Sequence, residues 1–132
     1  MLPAGRPEFI ASLRFRGGGP EGTAALLGRL RDVVAVLAER EGFLDARIAR
    51  ATDDASLIVV TLAWANVGAY RRALSSYDVK VGAVPVLSEA LDEPTAFEVL
   101  QVRDADGVVD ATGSLAADAG SVSLGDAAAD FV

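Results

Sequence analysis

The chain contains no cysteine and no histidine. Without thiols there are no disulfides, no thiolate nucleophile and no iron–sulfur ligation, a usage that suits a reducing compartment, and the expected location is cytoplasmic. Without imidazole there is no Ser-His-Asp or Cys-His machinery, no conventional zinc site and no proximal ligand for haem. Basic residues are few: 12 Lys and Arg stand against 19 Asp and Glu, for a formal charge of −7. No basic stripe is available to neutralise phosphates, so nucleic acid is not an expected partner. Long apolar runs are missing too. The longest, Leu57 to Ala65, is interrupted by Thr61 and falls well short of the roughly 20 residues that span a bilayer. The stretch Met1 to Glu8 leads into an alternating segment rather than the apolar region of an export signal. Gly17-Gly18-Gly19 lacks the Lys-Ser/Thr of a phosphate loop and the spacing of a dinucleotide fingerprint. The carboxylates of Asp53-Asp54 and Asp92-Glu93 sit at turns without the regular spacing of a calcium loop. Neither a metal nor a cofactor is expected.

What is present is a hydrophobic content of 52% over 132 residues, enough for one domain around one core. The charge is unevenly placed. Residues 1–102 hold 11 basic and 13 acidic side chains, whereas residues 103–132 hold 1 basic and 6 acidic. The expected organisation is a folded domain over 1–102 and an acidic Ala/Gly/Asp-rich tail over 103–132.

Phe9 to Arg16 alternates apolar and polar residues with the period of a strand and ends at Gly17-Gly18-Gly19-Pro20. Thr23 can cap a helix whose stripe is Leu26, Leu30, Val33 and Leu37, stopped by Gly42. Phe43 to Ala51 and Ser56 to Trp64 flank a turn at Asp53-Asp54 and read as an antiparallel hairpin. Asn66 is placed to cap a second helix through Tyr70 and Leu74, and a helical segment from Val79 to Leu91 is bent or broken at Pro85. Thr95 to Val102 reads as strand four. Asp104-Ala105-Asp106-Gly107 can turn the chain into a short strand, Val108 to Thr112, with a flexible or partner-wrapping tail beyond.

The order βαββαβ predicts an α+β, ferredoxin-like unit in which two main helices cover one face of a four-stranded antiparallel sheet. Strand three is apolar on both sides: Ile58, Val60, Leu62 and Trp64 alternate with Leu57, Val59, Thr61 and Ala63. A second layer must therefore cover the face away from the helices, and the simplest is the same sheet of a second copy. A homodimer is expected.

The element order, Gly42-Phe43 entering strand two, and strand three ending in tryptophan just before a capped helix, Trp64-Ala65-Asn66-Val67-Gly68-Ala69-Tyr70-Arg71, resemble the antibiotic biosynthesis monooxygenase domain over about residues 8–102. The resemblance implies a dimeric α/β barrel with a pocket between each sheet and its helices. Members of that family include cofactor-independent oxygenases of aromatic polyketides and quinols, haem-degrading enzymes and proteins of no known activity. The haem-degrading members use a histidine iron ligand that this chain lacks, so that branch is not expected.

Candidate catalytic residues are Trp64, Asn66 and Tyr70, with Tyr77 and Arg14 as candidate substrate-binding residues. An indole and an amide at the strand–helix junction could orient an aromatic substrate and stabilise an enolate. Against this, Trp64 serves equally as a core plug and Asn66 as an ordinary helix cap. Tyr70 and Tyr77 return to nearly the same helical face if the helix is continuous, and a phenol can donate or accept a proton, although a packed tyrosine is the plainer reading. Arg14 and Arg16 share one face of a central strand and need acidic partners, for which Glu98 on the adjacent strand four is the expected one. The alternative is that Arg14 holds a substrate oxygen. The expected function is that of a cofactor-independent monooxygenase-like oxidoreductase acting on a small aromatic or quinol metabolite. The alternative is a non-catalytic dimer that binds a hydrophobic small molecule or a partner protein.

Overall fold

The computed structural model describes residues 6–111. Strand β1 (Phe9–Arg16) is followed by α1 (Pro20–Ala38), a hairpin of β2 (Phe43–Ala51) and β3 (Asp54–Trp64), helix α2 (Val67–Ser75), two short helices α3 (Tyr77–Gly82) and α4 (Val84–Leu87), and β4 (Ala96–Glu98). These strands form an antiparallel sheet in the order β2-β3-β1-β4. The fold is the expected ferredoxin-like α+β arrangement. Among the described residues two further strands, β5 (Gln101–Asp104) and β6 (Gly107–Asp110), pair only with each other.

Period-two patterning decides which side chains meet the helices. Ala11, Leu13 and Phe15 of β1 and Ile58, Val60 and Leu62 of β3 are all at most 1% exposed on the inner face. The α1 stripe of Leu26, Leu30, Val33 and Leu37 closes over them as the sequence predicts. Fully burying each of the Leu, Ile, Val and Phe side chains contributes roughly 1.5–3 kcal/mol. On the outer face, Leu57, Val59 and Thr61 are half-buried and Phe97 is 41% exposed, while Arg14 and Arg16 are exposed.

Several boundaries differ from the sequence reading. Helix α1 starts at Pro20 with Gly19 as its N-cap, because proline is pre-organised for the first helical position. Thr23 is instead buried within the first turn, its hydroxyl donating to the Gly18 carbonyl at 3.4 Å. The helical segment expected over 79–91 is broken rather than bent, into α3 and α4, and ends at Leu87. Ala83, with φ −124° and ψ −46°, leaves helical geometry between them, and Pro85 lies in the first turn of α4. Strand four is only Ala96–Glu98; beyond it the chain leaves the sheet and enters the β5–β6 hairpin. The hairpin turn falls on Asp104 to Gly107 as expected, with the Asp104 carboxylate accepting from the amides of Asp106 at 2.8 Å and Gly107 at 3.0 Å. Thr112 and the tail expected after it lie outside the described residues.

Candidate functional site

The sheet register lines up one cross-strand row on the inner face. Phe43 faces Trp64, Trp64 faces Phe9, and Phe9 faces Glu98. Phe43 joins this row because of a bulge. The ladder slips between Phe43 and Asp45, so Phe43 packs inward together with Ala46 and Ile48 despite its opposite sequence parity. Its ring meets Trp64 edge-on, with centroids 5.5 Å apart and planes at 87°.

Helix α2 brings the fourth ring. Asn66, extended at φ −161° and ψ 170°, accepts a hydrogen bond from the Ala69 amide at 2.9 Å and so caps the helix. Gly42 at φ +89° lets the turn into β2 pass against the first turn of α2, where its carbonyl accepts from the Ala65 amide at 2.8 Å. A Cβ at this position would collide with that of Ala69. So anchored, α2 lays Tyr70 over the row, with centroids 5.0 Å from Phe9 and 5.5 Å from Trp64.

Trp64 is 0% and Tyr70 1% exposed. Neither the indole Nε1 nor the phenol Oη has a hydrogen-bond partner among the described residues. Each such buried unmet polar group costs about 1–3 kcal/mol. Burial alone drives the Tyr70 pKa well above its ordinary value, so the phenol stays protonated and acts as a donor. Two hydrogen-bond donors thus lie unused inside an aromatic cluster.

Of the five sequence candidates, the structure brings together Trp64 and Tyr70. Asn66 is exposed and its amide oxygen is engaged in the cap. Tyr77 is 78% exposed. Ser76, with ψ 149°, breaks the helix after Ser75, so Tyr70 and Tyr77 do not share a face. Arg14 forms a bidentate pair with Glu93, both bonds 2.7 Å, on the outer face, and Arg16 pairs with Asp54 at 2.8 Å. Glu98 is not the partner of either. Opposite Phe9, it lies on the inner side, while Arg14 points outward by parity. The arginine pairing lowers the pKa of Glu93, and arginine together with Ser56 lowers that of Asp54. The sequence reading missed Phe9 and Phe43 as neighbours of the tryptophan, and Glu98 as the next position of that row beyond Phe9, since only the ladder register and the bulge place them in one row.

The family profile described as antibiotic biosynthesis monooxygenase matches residues 9–83, more than half of the chain. The chain belongs to the antibiotic biosynthesis monooxygenase family. SnoaB, a cofactor-independent oxygenase from Streptomyces nogalater, is similar at a TM-score of 0.60 and 22% identity, over 70% of this chain and 93% of that one. A Mycobacterium tuberculosis protein, Rv0793, superposes at 0.56 with 15% identity, covering 74% and 97% of the two chains. A conserved Methanosarcina mazei protein superposes at 0.55 with 17% identity, covering 68% and 90%. At these identities the likeness establishes the fold. No curated protein matches in sequence. Family membership supports a monooxygenase-like role, and the aromatic row with α2 falls within the matched residues except for Glu98.

Proposed function

We propose that this protein is a cofactor-independent monooxygenase-like enzyme that takes a small aromatic or quinol metabolite at the aromatic end of the inner sheet face. One observation carries the reading: the N–H of Trp64 and the O–H of Tyr70 are buried among aromatic rings without an acceptor among the described residues. A ligand oxygen supplies that acceptor, and the rings of Phe9 and Phe43 suit a flat aromatic body.

The chemistry needs no bound group. An activated methylene loses a proton, and the resulting enolate passes one electron to dioxygen. The radical pair recombines to a peroxide that sheds water, so that the methylene and one dioxygen become a carbonyl and one water. Donors fixed near the oxygen where charge develops lower the barrier to the first step. Trp64 and Tyr70 are such donors. Asn66 serves by holding α2 in place, and Tyr77 and Arg14, on α3 and the outer face, are assigned no contact with the substrate.

The half-buried outer face, with Ile10, Leu57, Val59 and the exposed Phe97, supports the homodimer proposed here. Val59→Asp in that face is expected to convert a dimer to monomers in sedimentation velocity.

Oxygen uptake with anthrone, which carries an activated methylene, tests the activity. The parent protein is expected to accelerate uptake over buffer, and Tyr70→Phe to lose about 10²-fold of that rate. Quenching of Trp64 emission by anthrone, with no uptake in either protein, would favour a binding module instead.

A further inference from the structure

The donors of the site leave its proton acceptor unassigned, and the first step needs one. Tyr70 is protonated and Asn66 has no basic atom. Trp64 is a donor only.

We propose that Glu98 is the general base of this site, a role that rests on the enolate-forming reading above. Three observations place it there. It is directly opposite Phe9 in the β1–β4 ladder, so the two Cβ atoms stand on the same inner face about 4.5–5.5 Å apart. Phe9 in turn packs against both the Trp64 strand position and the Tyr70 ring. Second, its carboxylate has no hydrogen bond or ion pair among the described residues. The other carboxylates on the four-stranded sheet, Asp45 and Asp54, each bond an arginine. Third, β4 is an edge strand and Glu98 is half-buried. It therefore stands between the dry aromatic row and water, where an accepted proton has a way out.

The step balances without an oxidant. A carbon–hydrogen bond of the substrate methylene breaks heterolytically, and the proton passes to a Glu98 carboxylate oxygen. The electron pair stays on the substrate as an enolate, whose oxygen accepts from the donors opposite. Glu98 then exchanges its proton with solvent. Run in reverse in deuterated water, the same step returns a deuteron to the substrate.

That exchange is the test, because it reports proton abstraction whether or not oxygen is used. The full chain is incubated with anthrone in deuterated buffer under argon, and loss of the methylene proton signal is followed by NMR. The parent protein is expected to accelerate exchange over buffer. Glu98→Gln is expected to lose about 10²-fold of that acceleration, and Glu98→Asp to recover part of it. Quenching of Trp64 emission should show anthrone binding to Glu98→Gln within about twofold of the parent, as expected when only a step after binding is lost. Exchange at the parental rate in Glu98→Gln would overturn the assignment, as would a parent protein that exchanges no faster than buffer. Parental exchange under argon with no oxygen uptake in air would sink the oxygenase reading and leave Glu98 as the base.

Discussion

The two ends of the inner sheet face are built by opposite rules. At one end Leu13, Phe15, Ile58 and Val60 are fully buried hydrocarbon, and the charges nearby, Arg14 and Arg16 on the other side of β1, each meet a carboxylate. At the other end Phe43, Trp64, Phe9 and Tyr70 bury an indole N–H and a phenol O–H with no acceptor among the described residues, and Glu98 has no cation among them. The first end follows the ordinary rule that buried polar groups are paired or absent. The second departs from it twice, at Trp64 and Tyr70, with the half-buried Glu98 unpaired among the described residues at the end of the same row. Phe at position 70 would avoid one of these costs, and this supports the proposal that the unmet groups serve a ligand.

Mutations at the two ends should separate stability from activity. The largest effect is expected for Phe15→Ala at the hydrocarbon end. It should cost about 3–5 kcal/mol of unfolding free energy in urea titrations while leaving turnover per folded molecule intact. Gly42→Ala comes next. The left-handed backbone and the collision with Ala69 should cost about 1–3 kcal/mol, and because Ala69 lies in the helix that carries Tyr70, stability and turnover should fall together.

Tyr70→Phe should move the two in opposite directions. Removing the unmet hydroxyl should stabilise the fold by about 1 kcal/mol while turnover drops. The same variant carries a pH signature. The phenol's pKa is raised in the folded state, so its contribution is fully present below the unfolded pKa of about 10 and is lost as pH rises beyond it. The parent should therefore lose stability in alkali relative to Tyr70→Phe, as thermal melts across that range would show. The smallest effect is expected at the paired end. Asp54 has a lowered pKa beside Arg16 and Ser56, so its contribution is present above the unfolded carboxylate pKa and fades as pH falls through the folded one. The Asp54 side chain is 40% exposed, and Asp54→Asn should only slightly flatten the acid side of the melting curve.

Strands β1 and β2 were legible in the sequence to the residue, because period two and flanking glycines or aspartates mark them locally. The capping role of Asn66 was legible for the same reason. What could not be read was set by pairing across the sheet. Glu98 was expected beside Arg14, but a one-residue difference in register decides which face a strand residue takes. Phe43 reaches Trp64 only through the bulge after it. Tyr77 was expected beside Tyr70, yet the extended Ser76 between them carries no sequence mark beyond serine's weak helix preference. The exit of the chain from the sheet after Glu98 was hidden as well, since Val99 to Val102 continues an apolar pattern that fits a strand in either sheet.

The aromatic end as the ligand site can be tested with one fluorophore, because Trp64 is the single tryptophan of the chain. Titrating anthrone under argon should give saturable quenching of its emission in the parent protein and about tenfold weaker binding in Tyr70→Phe, the loss expected for one hydrogen bond. Turnover in air with Trp64 emission unchanged at saturating substrate would contradict that location and place the chemistry elsewhere on the molecule.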